Sequence, residues 1–274
     1  MPEMPEVETI RRTLVDKVEG RKIIGVEIDL PRLIKWPLAS KFQAVLTNQT
    51  IIKLKRRGKY LLFYLSNNFV LVVHLRMTGR LYYVTPGNER DRFTHIVFNL
   101  DNGDALLYAD TRTLGTLYLM TEEELWRIAG LSSMGPEPLS EEFTLRYFSD
   151  RLEKRQATIK SVLLNQKIVG GLGNIYVDEA LALACIDPER IASSLNDQEV
   201  KHLYQAVNQV IADGIAHGGT TFRDYRDGSG RNGNHQHYLN VYGRANQPCR
   251  RCGGLIARKQ VAGRGTHYCP HCQK

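Results

Sequence analysis

Residues 5–19 place Val7, Ile10, Leu14 and Val18 at intervals of three and four, which predicts an amphipathic helix. The period then shortens. Segments 23–30, 50–55, 60–65, 69–75, 81–84, 95–100, 105–108 and 116–120 are brief and rich in β-branched and aromatic residues. Turn chemistry separates several of them, as in Ser66-Asn67-Asn68 and Asp101-Asn102-Gly103-Asp104. Many short strands behind one leading helix predict a sandwich or barrel-like β domain.

Past residue 120 the pattern changes again. Thr121 and Glu124 form a capping-box signature for a short helix. Residues 131–140 have no period, contain glycine and two prolines, and are read as a linker. Segments near 141–154, 158–164, 174–184 and 196–217 carry apolar residues at helical spacing. Asn196 and Glu199 are a second capping box, and Gly218-Gly219 is a helix stop. Residues 223–237, rich in Gly, Asp and Asn, predict a mobile loop. The expectation is an α+β multidomain chain: a β domain at 1–130, a linker at 131–140, a helical domain at 141–227, and a loop with a four-cysteine module at 228–274.

Charge sharpens this division. The formal net charge is +8. Residues 228–274 hold eight Lys/Arg and no acid, so the remaining 227 residues carry 37 − 8 = 29 bases against 29 acids. A basic segment attracts nucleic acid or an anionic surface. No apolar run approaches the roughly 18 residues that span a bilayer. No secretory leader is evident either, so a cytoplasmic protein with no membrane association is expected.

Four of the five cysteines form Cys249-x2-Cys252 and Cys269-x2-Cys272, with sixteen residues between the pairs. This spacing predicts one structural Zn2+ held by four thiolates, with no open position for catalysis. Residues 255–265 read as a hairpin between the pairs, and Arg264 falls in its turn, a cation suited to phosphate. The fifth cysteine, Cys185, lies in an apolar stretch and is predicted to be a buried core thiol.

The N-terminus offers a different chemistry. Loss of Met1 before Pro2 exposes a secondary amine. An α-amino group has a pKa of about 7.7–8.0, so a large share is neutral near physiological pH. Such an amine can attack an aldehydic carbon, and the resulting iminium is a persistent electron sink. Glu3 beside it could supply acid–base chemistry.

Several motifs resemble those of the bacterial formamidopyrimidine-DNA glycosylases. They are Pro2-Glu3-Met4-Pro5-Glu6-Val7-Glu8-Thr9, Arg56-Arg57-Gly58-Lys59-Tyr60, His74-Leu75-Arg76-Met77-Thr78-Gly79, Gly135-Pro-Glu-Pro-Leu139, Gly171-Leu-Gly-Asn174-Ile-Tyr-Val-Asp178-Glu179, Val241-Tyr-Gly-Arg244 and the four-cysteine ribbon with Arg264. They span the chain. The resemblance implies an N-terminal β-sandwich, a helix–two-turn–helix domain and a C-terminal zinc ribbon. It implies base excision repair of oxidised purines in duplex DNA by a monomeric enzyme, an N-glycosylase and abasic-site lyase without an organic cofactor. Pro2 matches the nucleophile at C1′, Glu3 the acid at the deoxyribose, Lys59 the acid of β-elimination and Arg264 the arginine of δ-elimination. Asn174 matches a phosphate ligand, and Met77 and Arg112 match residues that fill the gap left by a flipped nucleotide. His74 and Tyr242, inside matched motifs, are taken as further DNA contacts.

The chain departs from the pattern at a few positions. Leu114 stands where the family usually places a phenylalanine wedge, and Arg155 where a DNA-contacting lysine is usual. Phe93 replaces a common DNA-binding histidine, whose role is not carried over; His95 is only a nearby candidate. Thr78 stands where some members have a glutamate near the lesion pocket. Two other readings compete: an endonuclease VIII-like enzyme for oxidised pyrimidines, and a non-catalytic DNA-binding module built from the same ribbon and helices.

Overall fold

The computed structural model describes residues 2–87 and 90–274. The chain forms two compact units: Met1–Ser132 with His217–Gln236, and Ser133–Ala216 with His237–Lys274.

The first unit opens with helix α1 (Met4–Val18), followed by strand β1 (Lys22–Ile28), β2 (Ile34–Trp36), α2 (Ala39–Leu46), β3 (Gln49–Arg57), β4 (Tyr60–Leu65), β5 (Phe69–His74), β6 (Gly79–Val84), β7 (Thr94–Leu100), β8 (Ala105–Asp110) and β9 (Thr116–Thr121). Among the described residues the strands are ordered β2-β9-β5-β4-β3-β1-β7-β8-β6. Strand β3 joins the two halves of this order. Its first residues pair with β1 (Gln49 with Ile23, Thr50 with Lys22), and Ile51–Arg57 pair with β4. One apolar cluster takes residues from both halves, Val26, Phe98 and Tyr108 with Phe63, Val73 and Leu119. Val7, Ile10, Leu14 and Val18 of α1 join that cluster, as their spacing predicts. Burial of side chains this size is worth roughly 1.5–3 kcal/mol each. The predicted sandwich with a leading helix is therefore present.

Both β2 and α2 escape the sequence reading. β2 has three residues, and α2 has eight with only Phe42 and Leu46 buried, too short for a period to emerge. The Thr121–Glu124 capping box forms, but it opens a 3-10 turn, Glu122–Arg127, rather than an α-helix. A short α3 (Ala129–Ser132) follows.

The second unit contains α4 (Leu145–Leu152), α5 (Ile159–Leu164), α6 (Asn174–Leu183), α7 (Asp197–Ala216) and a hairpin of β10 (Ala257–Val261) and β11 (Arg264–Tyr268). The stretch expected as a linker is divided. From Ser133 it belongs to this unit, where Gly135 N donates to Gln166 O at 2.9 Å and Gly170 N to Pro136 O at 2.9 Å.

Residues 217–236, which the sequence reading split at 227, group with the first unit. Thr220 N donates to Glu6 Oε1 at 2.7 Å, and Gly228 N to Thr13 Oγ1 at 2.9 Å. Within 223–237, the segment read as a mobile loop, the Gly228 bond reaches α1. Cys185 is half-buried rather than a core thiol. It sits just past α6 with φ +61°, where its N–H reaches Ala182 O and that of Ile186 reaches Leu181 O. This is a left-handed helix stop with cysteine in the usual glycine position. Its Sγ accepts a hydrogen bond from Arg251 Nη1.

Candidate functional site

Pro2 and Glu3 are buried at the head of α1. Glu3 is the N-cap residue. Its side chain accepts from the backbone of Glu6, and its own N–H donates to Glu6 Oε2 at 2.8 Å. This reciprocal capping box fixes the start of the helix. Glu6 uses its other oxygen for Thr220 N. One buried carboxylate thus ties the N-terminal segment to residues 217–236.

A turn further on, Glu8 accepts from Arg11, Arg12 and Arg56. Burial works to raise the Glu8 pKa. The two helical arginines and the charge of Arg56 outweigh it and hold the group at about 2. Arg56 Nη1 also donates to Gly58 O at 3.0 Å, which joins α1 to the β3–β4 turn. That turn presents Lys59, which is buried. Its neighbour Tyr60 pairs with His74 across β4 and β5, and the rings meet edge-on at 4.4 Å. Burial, then the charges of Arg76 and Lys59, pull the His74 pKa down to about 3. A neutral His74 accepts Arg76 N at Nδ1, 3.0 Å away, so it supports the loop that follows β5.

That loop carries Met77, 42% exposed, and Arg112 Nη1 lies 3.5 Å from its sulfur. Leu114, on the β8–β9 loop with Arg112, is 47% exposed. Exposed apolar side chains beside a guanidinium are of the kind that can be inserted between stacked bases. His95 is tied to the backbone, with Nε2 at 2.9 Å from Asp110 O.

In the second unit Gly173 is the N-cap of α6, and Asn174 Nδ2 donates to Gly265 O at 2.9 Å. Arg264 is exposed at the start of β11. The hairpin turn is shorter than expected: Ala262 (φ +51°) and Gly263 (φ +70°) alone separate the paired residues Val261 and Arg264. Two left-handed residues give the tight turn whose twist suits a hairpin. Behind it Lys160, fully buried, lies 2.6 Å from Asp178 Oδ1 and 2.7 Å from Thr266 Oγ1. Asp178 Oδ2 accepts His267 N at 2.8 Å. Buried Glu179 accepts the backbone N–H groups of Asn240, Val241 and Tyr242. The Tyr242 ring meets His267 edge-on at 5.0 Å. Arg155 is exposed beyond α4; among the described residues no hydrogen bond joins its side chain to Asn174 or Arg264.

Cys249, Cys252, Cys269 and Cys272 bring their sulfur atoms within 4.8 Å of one another. Two of the separations are 4.0 and 3.5 Å. Four sulfurs each about 2.3 Å from a tetrahedral zinc would lie about 3.8 Å apart, so the cage fits that ion.

Sequence reasoning missed Lys160, Asp178 and Glu179 as supports, and gave Glu6 and Glu8 no role of their own. The available signal was charge where the pattern calls for apolar residues. Asp178 and Glu179 interrupt the helix NIYVDEALAL, and both are buried.

Comparison with known proteins agrees with this layout. Residues 1–117 match the family model of the formamidopyrimidine-DNA glycosylase N-terminal domain, and residues 134–226 that of its H2TH domain. Residues 246–274 match a zinc finger found in FPG and IleRS. A formamidopyrimidine-DNA glycosylase of Pelotomaculum thermopropionicum is 48% identical over 274 residues, covering all of this chain and 99% of the relative. The structure superposes with a TM-score of 0.93 on a mutant of Lactococcus lactis FPG in complex with Fapy-dG containing DNA, at 38% identity and full coverage of both chains. The same score and identity hold, again over both full chains, for Lactococcus lactis Fpg in complex with abasic-site DNA. With every segment matched in order, the chain belongs to the formamidopyrimidine-DNA glycosylase family, whose members are base-excision repair enzymes.

Proposed function

We propose that the protein binds duplex DNA as a monomer, excises oxidised purines and then cuts the strand. The observation that carries this reading is the head of α1. Pro2 and Glu3 are buried there, Glu3 is held by the Glu6 carboxylate, and the same helix is tied through Glu8 and Arg56 to the turn that carries buried Lys59. A weak nucleophile needs such placement to be effective.

Freed of Met1, the Pro2 nitrogen attacks C1′ of the extruded nucleotide. The glycosidic bond breaks and its electron pair leaves with the base. The attacking amine gives its N–H proton to the Glu3 carboxylate, which passes it to the deoxyribose O4′. The C1′–O4′ bond breaks, the ring opens and the nitrogen lone pair forms an iminium joining Pro2 to C1′. Water takes the C2′ proton, and the C2′–H electron pair becomes the C2′–C3′ double bond as the C3′–O bond breaks. Lys59 is the acid for the departing 3′ phosphate. In a second elimination, assisted by Arg264, the C4′ proton is lost to water, the C5′–O bond breaks and the 5′ phosphate leaves. Water then hydrolyses the iminium and frees the Pro2 amine. Met77, Arg112 and Leu114 occupy the space vacated in the duplex. His74, Asn174, Tyr242 and Arg155 add contacts to the strand. One zinc ion at the four cysteines supports the hairpin and takes no part in the chemistry.

Borohydride trapping tests the reading. It reduces an iminium to a stable amine and leaves a covalent protein–DNA adduct. An adduct with an 8-oxoguanine duplex that disappears in Pro2→Gly, with DNA binding retained, is the expected result. Trapping by Pro2→Gly at the normal rate would overturn the assignment. Preference for thymine glycol over 8-oxoguanine would move the substrate to oxidised pyrimidines.

A further inference from the structure

The two loops that carry Met77, Arg112 and Leu114 share a single anchor. Asp110, the last residue of β8, is fully buried. Its Oδ1 accepts Thr78 Oγ1 at 2.5 Å and Arg112 N at 3.2 Å. Its Oδ2 accepts Gly115 N at 2.8 Å and the Tyr108 hydroxyl at 3.3 Å. Thr78 Oγ1 in turn accepts Arg112 N at 3.0 Å. Tyr108 is also fully buried; burial and the adjacent carboxylate push its phenol pKa up, so it remains a neutral donor.

Steric fit points to the same pair. A Cβ on Gly79 would lie 2.8 Å from the Tyr108 oxygen. A Cβ on Gly115 would collide with that oxygen and sit 3.2 Å from Asp110 Oδ2. Both loops therefore press against Tyr108 and Asp110 at positions where no side chain fits. Between the anchored residues Arg112 and Gly115, Thr113 adopts φ +52°. A buried carboxylate is costly unless its lone pairs are filled, and here four donors fill them.

We propose that Asp110 is a positioning residue that holds Met77, Arg112 and Leu114 ready to enter the duplex as a nucleotide leaves it. The proposal rests on the wedge role given to those three residues above. Its chemical logic is preorganisation. The tips must stay exposed to meet DNA, so apolar packing cannot fix them. Charge-assisted hydrogen bonds from beneath can fix the backbone while the side chains remain free. An amide at position 110 cannot serve, because its NH2 would face either Arg112 N–H or Gly115 N–H.

The test compares Thr78→Val, Thr78→Ser and Asp110→Asn with the parent protein on two substrates. One is an 8-oxoguanine duplex, which requires extrusion. The other is a preformed abasic site in single-stranded DNA, which has no stack to open. 2-Aminopurine beside the lesion reports unstacking, and thermal unfolding checks that each variant folds. Thr78→Val and Asp110→Asn should slow lesion-duplex excision and the 2-aminopurine signal by about tenfold, the factor one lost hydrogen bond to a charged group implies. Thr78→Ser, which keeps the hydroxyl, should retain parental rates. Borohydride trapping on the abasic strand should be unchanged in all three. Equal behaviour of Thr78→Val and Thr78→Ser on duplex, or equal loss on both substrates, would overturn the proposal. Failure of the parent protein to trap on the abasic strand would instead refute the Pro2 chemistry. Should Asp110→Asn fail to fold, Thr78→Val decides the matter.

Discussion

Lys160 Nζ lies 2.6 Å from Asp178 Oδ1 with both side chains fully buried. The pair links α5 to α6, and through Thr266 and His267 it holds strand β11 of the zinc hairpin. The sequence spaces these residues widely, yet they form one polar core under Arg264.

Removing one member of such a pair leaves a buried charge uncompensated, at a cost of about 3–5 kcal/mol. Lys160→Ala should therefore destabilise the second unit strongly. Lys160→Met with Asp178→Leu should cost less than the single change, because no charge is left stranded. Chemical denaturation of the three proteins checks this. A single variant as stable as the parent would show that water enters and solvates Asp178.

Acid stability should report Glu8. Its pKa is depressed from 4.5 to about 2 in the folded protein. A lowered carboxylate pKa stabilises the fold above the unfolded value, and that contribution disappears as pH falls from about 4.5 toward 2. The full shift corresponds to roughly 3 kcal/mol as an upper bound. His74, depressed from 6.5 to about 3, acts in the same direction from about pH 6.5 downward, because the unfolded chain takes up the proton first. Glu8→Gln should flatten the loss of stability between pH 4.5 and 2 and leave the region above pH 5 with its slope. Urea midpoints measured across this range test the assignment; an unaltered slope in the variant would refute it.

Metal removal should act on the hairpin. The apolar cluster at the ribbon is small, Val241, Ile256 and Cys269, so zinc held by the four thiolates would supply most of its folding energy, and chelation or Cys249→Ser should disorder residues 249–272. Affinity for an abasic-analogue duplex should fall, and zinc content should fall with it. Unchanged affinity in a verified zinc-free sample would separate the ribbon from DNA binding.

Leu114 offers an opposite test, a gain. Base–aromatic stacking is worth about 1–3 kcal/mol, and leucine has no π-face. Leu114→Phe should tighten binding to a lesion duplex, with little effect on a duplex that already contains an abasic site. Both affinities must be read at one salt concentration, since phosphate contacts make binding salt-dependent. Equal gains on the two duplexes would assign the residue to general DNA contact.

Local pattern determined much of this molecule. The heptad-like spacing of Val7, Ile10, Leu14 and Val18 specifies α1, and alternation with turn residues specifies eight of the sheet strands. Cysteine spacing specifies the thiolate cage, because two residues between the cysteines of each pair let both sulfurs face one ion. Such features depend on neighbours in sequence, so they can be read there. Tertiary structure decided what depends on partners far apart. Residues 217–236 join the first unit through Glu6 and Thr13, residues more than 200 positions away. Cys185 left the core because α6 had to stop there. Asp110, Lys160, Asp178 and Glu179 carry charge into apolar surroundings, which no local pattern explains. Only the fold brings each of them the donors and counter-charges that make its burial affordable in free energy, and those donors come from loops and strands that the sequence does not place together.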